Sequence, residues 1–456
     1  MDIKELANKR IMIIGAGLSG CAAANLLAGT CPNLVLYDAN SSGAMTVDTV
    51  RSKLSADFKG RIELGDMPED LRSNLDMLIL SPGVPRDLPF VTLMEHKGTQ
   101  VIGEIELAYY FSKGRIVGVT GTNGKTTTTA LTGHILDSYF GHTIVVGNIG
   151  TPYTDLVRQT DEDTYTVAEL SSFQLDTTQV FHPDVSMVLI ITPDHLDRHH
   201  TMRNYIDAKF KIAANQTAED ICILNYEDAT LREMAQQQNA RIVWFSSSHR
   251  LKDGFFYADG RIYRAEDGVE TEICDTSQMK LIGTHNYENA MAAIAAAMHF
   301  NVPVEAVREA VYSFNPVPHR IEYVATKNGV KYYNDSKGTN PDASIKAVKA
   351  MTSQTYLIGG GYDKNSEYDE WIDSFDGKIK HLVLMGQTKG KIAECAIRHG
   401  FNNITFVESM KEAVEFCSAR ALPGETVLLS PCCASWGMFK NYEERGDIFK
   451  ELVNSL

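Results

Sequence analysis

The residues best suited to chemistry lie in Gly118-Val119-Thr120-Gly121-Thr122-Asn123-Gly124-Lys125-Thr126-Thr127-Thr128. A glycine-rich loop lets backbone N–H groups close on phosphate oxygens. A lysine at its end meets the β- and γ-phosphates, and the hydroxyl that follows can ligate magnesium. The spacing departs from the strict GxxxxGK[ST] pattern, because Val119 stands where the first glycine would. The apolar run before the loop and the helical pattern after it keep the ATP-site reading.

A second phosphate-binding signature is Gly15-Ala16-Gly17-Leu18-Ser19-Gly20, a full GxGxxG between a strand and a helix, with Asp38 ending the next strand. Its glycines admit a diphosphate and the helix N-terminus supplies amide donors. By itself it names no particular diphosphate, and NAD or FAD would fit. Glu169, in AELSSFQL (168–175), follows the short apolar run Tyr165–Ala168, where a carboxylate could reach a nucleotide's magnesium. His195, His199 and His200 cluster with Asp194 and Asp197 in TPDHLDRHH. They lack HExxH or paired thiolates, so one histidine assisting magnesium is preferred to zinc.

These motifs need strands to end on and helices to begin. Apolar runs predict strands at Arg10–Ile14, Asn33–Tyr37, Met77–Leu80 and Arg115–Val119, then at Ser186–Ile191, Tyr356–Ile358, His381–Met385, Ile404–Val407 and Thr426–Leu429. Alternation with helical stretches predicts an α/β protein with parallel sheets. Residues 240–275, with glycines at 254, 260 and 268, read as β-hairpin material, a small antiparallel addition. Boundaries are expected near Tyr110–Gly114 and at Phe314–Pro318, where FNPVP interrupts the helical pattern.

The length of 456 residues accommodates about three domains. A formal charge of −15 argues against nucleic-acid and anionic-membrane partners. Eight scattered cysteines without CxxC pairs read as reduced thiols of a cytosolic protein. The N-terminus is too charged for a signal peptide, and the apolar window at 290–300 is too short to span a bilayer.

With TGTNGKTTT, AELSSFQL and DHLDRH in this order, the chain resembles the Mur ligases, ATP-dependent amide-forming enzymes of bacterial cell-wall precursor synthesis. YIDAKFKIAANQ (205–216), GTHNYENAMAA (283–293), PHRIEY (318–323), NDSKGTNPDAS (334–344), GGGYDK (359–364) and SPCCASWGMFKNYEERG (430–446) extend the resemblance along the chain. The Ser-Ser-Phe-Gln run after Glu169 is similar to the branch that adds D-glutamate.

The resemblance implies N- and C-terminal Rossmann-like domains (1–112 and 316–456) flanking a central P-loop-type ATPase domain (113–315). The first would hold the UDP of UDP-N-acetylmuramoyl-L-alanine through Gly15, Ala16, Gly17, Leu18, Ser19, Asp38, Ser81, Pro82 and Gly83, with Asn148 and His195 reaching the sugar side. ATP would contact Gly121, Thr122, Asn123, Gly124, Lys125, Thr126, Thr127, Asn289, Arg320 and Asp335, with His319 beside them. Thr126, Glu169, His195 and Lys209 would serve two Mg²⁺ ions, Lys209 as a carbamate, and Lys125, Glu169, His195 and Lys209 would be the catalytic set. D-glutamate would meet Gln174, Lys337, Thr339, Lys364, Ser435, Trp436 and Tyr442. A cytoplasmic monomer without nucleic-acid or membrane partners completes the expectation. A nicotinamide-dependent oxidoreductase would leave TGTNGKTTT unexplained, and a non-catalytic ATP switch would leave Lys364 and residues 430–446 without a purpose.

Overall fold

The computed structural model describes residues 3–42, 45–148, 150–315, 317–364 and 366–456. Pro316, inside the expected FNPVP boundary, lies outside them.

The first sheet contains β1 (Ile11–Ile14), β2 (Leu34–Asp38), β3 (Arg61–Leu64), β4 (Met77–Leu80) and β5 (Gln100–Gly103). Its order is β3-β2-β1-β4-β5 and every pairing is parallel. All residues of β1 and β4 are buried, as continuous apolar runs covered on both faces should be. The order reverses between β1 and β4, which opens a crevice at their C-terminal ends.

The second sheet contains β6 (Arg115–Thr120), β7 (Thr143–Gly147), β8 (Tyr165–Glu169), β9 (Val185–Val188), β10 (Ile221–Asn225), β11 (Arg241–Ser246), β12 (Gly254–Ala258), β13 (Arg261–Glu266) and β14 (Val269–Asp275). Its order is β14-β13-β12-β11-β10-β9-β6-β8-β7. The hairpin expected over 240–275 is only partly so. Arg241–Ser246 pairs parallel with β10, because the intervening helix Ala229–Ala235 provides the crossover that a parallel pair needs. The antiparallel addition starts at β12–β13, where Asp259 and Gly260 both have positive φ, the requirement of a tight type I′ turn.

The strand predicted at Ser186–Ile191 ends early, at Val188. Beyond it the backbone leaves the ladder. Ile190 O accepts from Thr122 N at 2.7 Å, and Ile191 N donates to Asp228 at 2.7 Å. The first of these bonds holds the glycine-rich loop, and the second ties the segment to the N-cap of the helix Ala229–Ala235.

The third sheet contains β15 (Glu322–Lys327), β16 (Val330–Asn334), β17 (Thr355–Gly359), β18 (Ile379–Leu384), β19 (Ile404–Phe406) and β20 (Thr426–Leu429), in the order β15-β16-β20-β17-β18-β19. Only β15–β16 is antiparallel. The chain divides into two compact units. One runs to Cys274 and includes Glu288–Val311, and the other joins Asp275–Tyr287 to Tyr312–Leu456. The first two sheets, save Asp275 at the end of β14, fall in the first unit and the third sheet in the second.

Candidate active site

In the first unit, the crevice at β1 and β4 is a cavity of about 790 Å³. Gly15, Gly17, Leu18, Ser19, Asp38, Ser81, Pro82, Gly83 and Asn148 all line it. Ala16 is fully buried behind the loop and donates its N–H to Asp38 Oδ2 at 2.7 Å. Ser81 Oγ donates to Gly15 O at 3.0 Å, tying the end of β4 to the loop after β1. Gly20 permits this approach, since a Cβ there would lie 1.7 Å from Gly15 O. Where Asp38 is followed by Ala39-Asn40, Asn40 N closes on Asp38 Oδ1 at 2.8 Å. Gln174 lines this same cavity, and its side chain also caps the helix Ser172–Asp176 through Ser171.

The second phosphate loop joins β6 to the helix Lys125–Phe140. Lys125 Nζ donates to Gly121 O and Thr122 O, both at 2.9 Å. Lys209, from the helix Met202–Phe210, is 2% exposed and donates to the same Gly121 O at 2.8 Å. Burial, reinforced by the Lys125 cation, holds the Lys209 amine well below the usual lysine range. Its Nζ also sits 4.7 Å from the centre of the Tyr205 ring, whose hydroxyl is 3.0 Å from Thr122 Oγ1. Two lysine side chains therefore converge on one carbonyl of the loop.

Glu169 ends β8, beside β6 in the sheet, and is buried. Its Oε1 accepts from Asn148 Nδ2 at 2.8 Å, while Oε2 is buried without a partner. An unmatched buried carboxylate oxygen beside a phosphate loop fits a hard cation such as Mg²⁺. Thr126 and Thr127 lie in the first turn of the following helix, both buried. Thr128 Oγ1 contacts Asn289 Oδ1 at 3.3 Å, which places Asn289 against that same turn.

His195 adopts a left-handed backbone (φ 52°) before the short helix Leu196–His199. Its ring lies 4.9 Å from that of Phe173, and its Nε2 is 3.5 Å from Asp194 Oδ2. His199 stacks on the same Phe173 ring at 5.5 Å and bonds Ser172 Oγ at 2.9 Å. Burial holds His199 below the usual histidine range.

The second unit collects the remaining candidates around the end of β16. Asp335 is buried, with Oδ2 accepting from Ser430 Oγ at 2.7 Å and Oδ1 from Ile321 N at 3.3 Å. Burial lifts its carboxyl to about 7, opposed by the Ser430 hydroxyl and the Arg320 charge. Arg320 Nε is buried without a partner. His319 O accepts from Lys337 N at 2.9 Å, and Lys337 O accepts from Thr339 N at 2.9 Å. The Lys337 ammonium lies 5.6 Å from the Tyr442 ring centre. Tyr362 pairs with Ala434, donating its N–H to Ala434 O at 2.9 Å, and Lys364 lies over Trp436 with Nζ 4.7 Å from the ring centre. Ser435 is buried directly before that tryptophan.

Two residues that the motifs did not single out prove central. Tyr205 precedes Lys209 by one helical turn, a spacing that could have identified it. Arg445 could not be found this way, because Glu443-Glu444-Arg445 reads as a solvated helix face. In the structure Arg445 is 1% exposed and donates to Ser336 Oγ, Ser336 O and Cys433 O at 2.9, 2.7 and 3.1 Å. It clamps the loop after β16 to the segment that carries Ser435.

Residues 119–297 match the Mur ligase middle domain, and residues 319–433 match the Mur ligase glutamate ligase domain. UDP-N-acetylmuramoylalanine–D-glutamate ligase of Lachnoclostridium phytofermentans is 55% identical, over 98% of both chains. The enzyme of the same name from Lachnospira eligens is 51% identical over 99% of this chain and all of its own. The chain belongs to the Mur ligase family. Solved Mur ligases share the fold at low identity. UDP-N-acetylmuramate-alanine ligase of Thermotoga maritima has a TM-score of 0.59 at 18% identity, over 98% of this chain and all of its own. The D-alanyl-D-alanyl-adding ligase of Acinetobacter baumannii reaches 0.62 at 14% identity, over 99% and 97%. The Mur ligase middle domain thus spans the loop bearing Lys125, Glu169 and Lys209.

Proposed function

We propose that this Mur ligase joins D-glutamate to UDP-N-acetylmuramoyl-L-alanine, converting ATP to ADP and phosphate. The observation that carries this reading is the convergence of Lys125 and Lys209 on Gly121 O beside the unmatched Oε2 of Glu169, in a unit that holds a separate cavity under a GxGxxG loop. The choice of D-glutamate is supported by relatives at 55% and 51% identity that bear that ligase's name.

A free carboxylate makes no amide near neutral pH, because oxide is a poor leaving group. The alanyl carboxylate attacks the γ-phosphorus of ATP, and the bond to the bridging oxygen breaks to release ADP. The D-glutamate amine then attacks the acyl carbon, loses a proton, and phosphate departs with the former carboxylate oxygen. Lys125 neutralises charge on the transferring phosphoryl group, and the loop amides orient it. Glu169, Thr126 and His195 would hold Mg²⁺, which screens phosphate charge when bound.

Lys209 carries a carbamate in this reading, formed when its neutral amine attacks CO₂ and releases a proton. Its burial and its lowered basicity beside Lys125 support the neutral amine that this chemistry needs. The cavity at β1 and β4 takes the UDP-linked substrate, and Gln174 serves that side, given where it lies. Arg320 and Asp335 serve ATP, and Lys364, Ser435 and Trp436 serve D-glutamate. We place the domain limits at 112/113 and 315/316 and the reaction in the cytoplasm. Eight buried thiols free of disulfides and the lack, among the described residues, of a helix long and apolar enough to cross a membrane support that location.

Phosphate release with UDP-N-acetylmuramoyl-L-alanine, ATP and a panel of amino acids tests the assignment. D-glutamate should support turnover, while L-glutamate and D-aspartate should not. Lys364→Ala should raise KM for D-glutamate far more than KM for ATP. Faster turnover with L-alanine, L-lysine or D-Ala-D-Ala would overturn the choice of substrate.

A further inference from the structure

In the second unit, the helices Asp369–Asp373 and Lys389–Arg398 carry two pairs of residues one turn apart. They are Asp369 with Asp373, and Cys395 with His399, the latter at the C-cap. Asp369, Cys395 and His399 each bring a ligand atom within 4.8 Å of the other two. His399 Nε2 lies 2.9 Å from Asp369 Oδ1, and its Nδ1 lies 2.6 Å from Asp373 Oδ1. None of these residues serves the ligase reaction proposed above.

We propose that this cluster is a transition-metal site of the zinc class, with Asp369, Cys395 and His399 Nε2 as ligands and Asp373 orienting the imidazole through Nδ1–H. Oxygen, nitrogen and thiolate sulfur together select zinc-like ions over magnesium or calcium. A carboxylate on the far ring nitrogen is the usual outer partner of a metal-bound histidine. Cys395 is 3% exposed, so water alone cannot stabilise its thiolate and a metal can. Metal entry exchanges protons and transfers no electrons. The Cys395 thiol releases its proton to solvent as the metal–sulfur bond forms, and Nε2 gives up any proton it shares with Asp369. Three protein ligands leave a fourth position for water. Arg398, 3.3 Å from Asp369 Oδ1, is the neighbouring cation, and its side chain is exposed enough to swing clear.

The site would tie together two helices that both adjoin the Lys364 loop. The first helix follows that loop in the chain. The second follows Thr388, whose Oγ1 accepts from Gly361 N at 3.0 Å. The inference stands apart from the ligase reading, because it is read out by metal binding alone.

The full chain, stripped with EDTA and titrated with Co²⁺ in Mg²⁺ buffer, tests it. A single equivalent of Co²⁺ should produce a thiolate-to-cobalt absorption in the near ultraviolet that Zn²⁺ removes. Cys395→Ser should abolish the band, and Asp373→Asn should keep it while weakening affinity about 10–100-fold. His399→Gln, at the surface end of the helix, should also abolish it and covers the case in which Cys395→Ser misfolds by circular dichroism. Absence of the band in the folded wild type, or its persistence in either ligand variant, overturns the site and leaves His399 as an ion pair with two aspartates. Unchanged affinity in Asp373→Asn overturns the orienting role.

Discussion

A buried amine and a buried carboxyl define the residue scale of this enzyme. Lys209 sits in the protein with its basicity depressed by burial and by Lys125. If its neutral amine captures CO₂, activity should fall in rigorously CO₂-depleted buffer and recover on adding bicarbonate. ¹³C-bicarbonate should give a carbamate resonance that is missing from Lys209→Arg. An unmodified amine in active, magnesium-loaded enzyme would remove this role. Asp335 makes the opposite case. Burial lifts its carboxyl from 3.8 to about 7. Through that window the native chain keeps a proton that the unfolded chain has lost. The contribution is therefore fully present in acid and is lost as pH rises towards 7. Thermal unfolding midpoints of Asp335→Asn should depend less steeply on pH across the window than those of the wild type. An equal or steeper decline in the variant would contradict the shift.

At the scale of elements, the decisive contact is between the helix Leu18–Leu27 and the loop after β1. A methyl group at residue 20 would stand 1.7 Å from Gly15 O, a backbone atom that cannot turn aside. The helix must then back away from the sheet, opening a core whose residues Ala23, Ala24 and Leu27 are fully buried. Gly20→Ala should lower unfolding free energy by about 2 kcal/mol or more in urea titrations, as overpacked backbone contacts do. It should also weaken UDP-substrate binding, since the same shift displaces the amides of the loop. Wild-type stability in this variant would show that the close approach is not enforced. Arg445 does comparable work in the second unit, where one guanidinium satisfies both carbonyls of two loops that share no strand.

On the whole-molecule scale, the two glycine-rich loops of the first unit follow strands of different sheets, β1 and β6. The GxGxxG cavity draws on the ends of β1 and β4 and on Gly147, Asn148 and Gln174 beside the second sheet, but none of its lining comes from the Lys125 loop. Lys125→Ala should therefore cut kcat/KM for phosphate release by at least about 100-fold, the scale of a lost phosphate or oxyanion clamp. Calorimetric binding of UDP-N-acetylmuramoyl-L-alanine should stay near the wild-type level. Equal loss of both would show that the sites are not independent.

Much of this protein was legible before its structure. The glycine motifs, Asp38, Lys125 and Glu169 sit where strands end, because local chain chemistry alone makes a glycine-rich turn between a strand and a helix. Strong apolar runs likewise marked β1, β4, β6 and β20, which are buried on both faces and need no partner to reveal them. Weakly patterned strands such as β3 and β15, with exposed or half-exposed residues, were not visible, since their identity comes from pairing. The direction of β11 was likewise set by its neighbour β10 and not by its own residues. Tertiary packing alone decided that Lys209 shares a carbonyl with Lys125, that Arg445 is buried, and that Gln174 lines the cavity at β1 and β4. Each depends on long-range contacts between segments far apart in the chain, where burial rather than residue type sets charge and role.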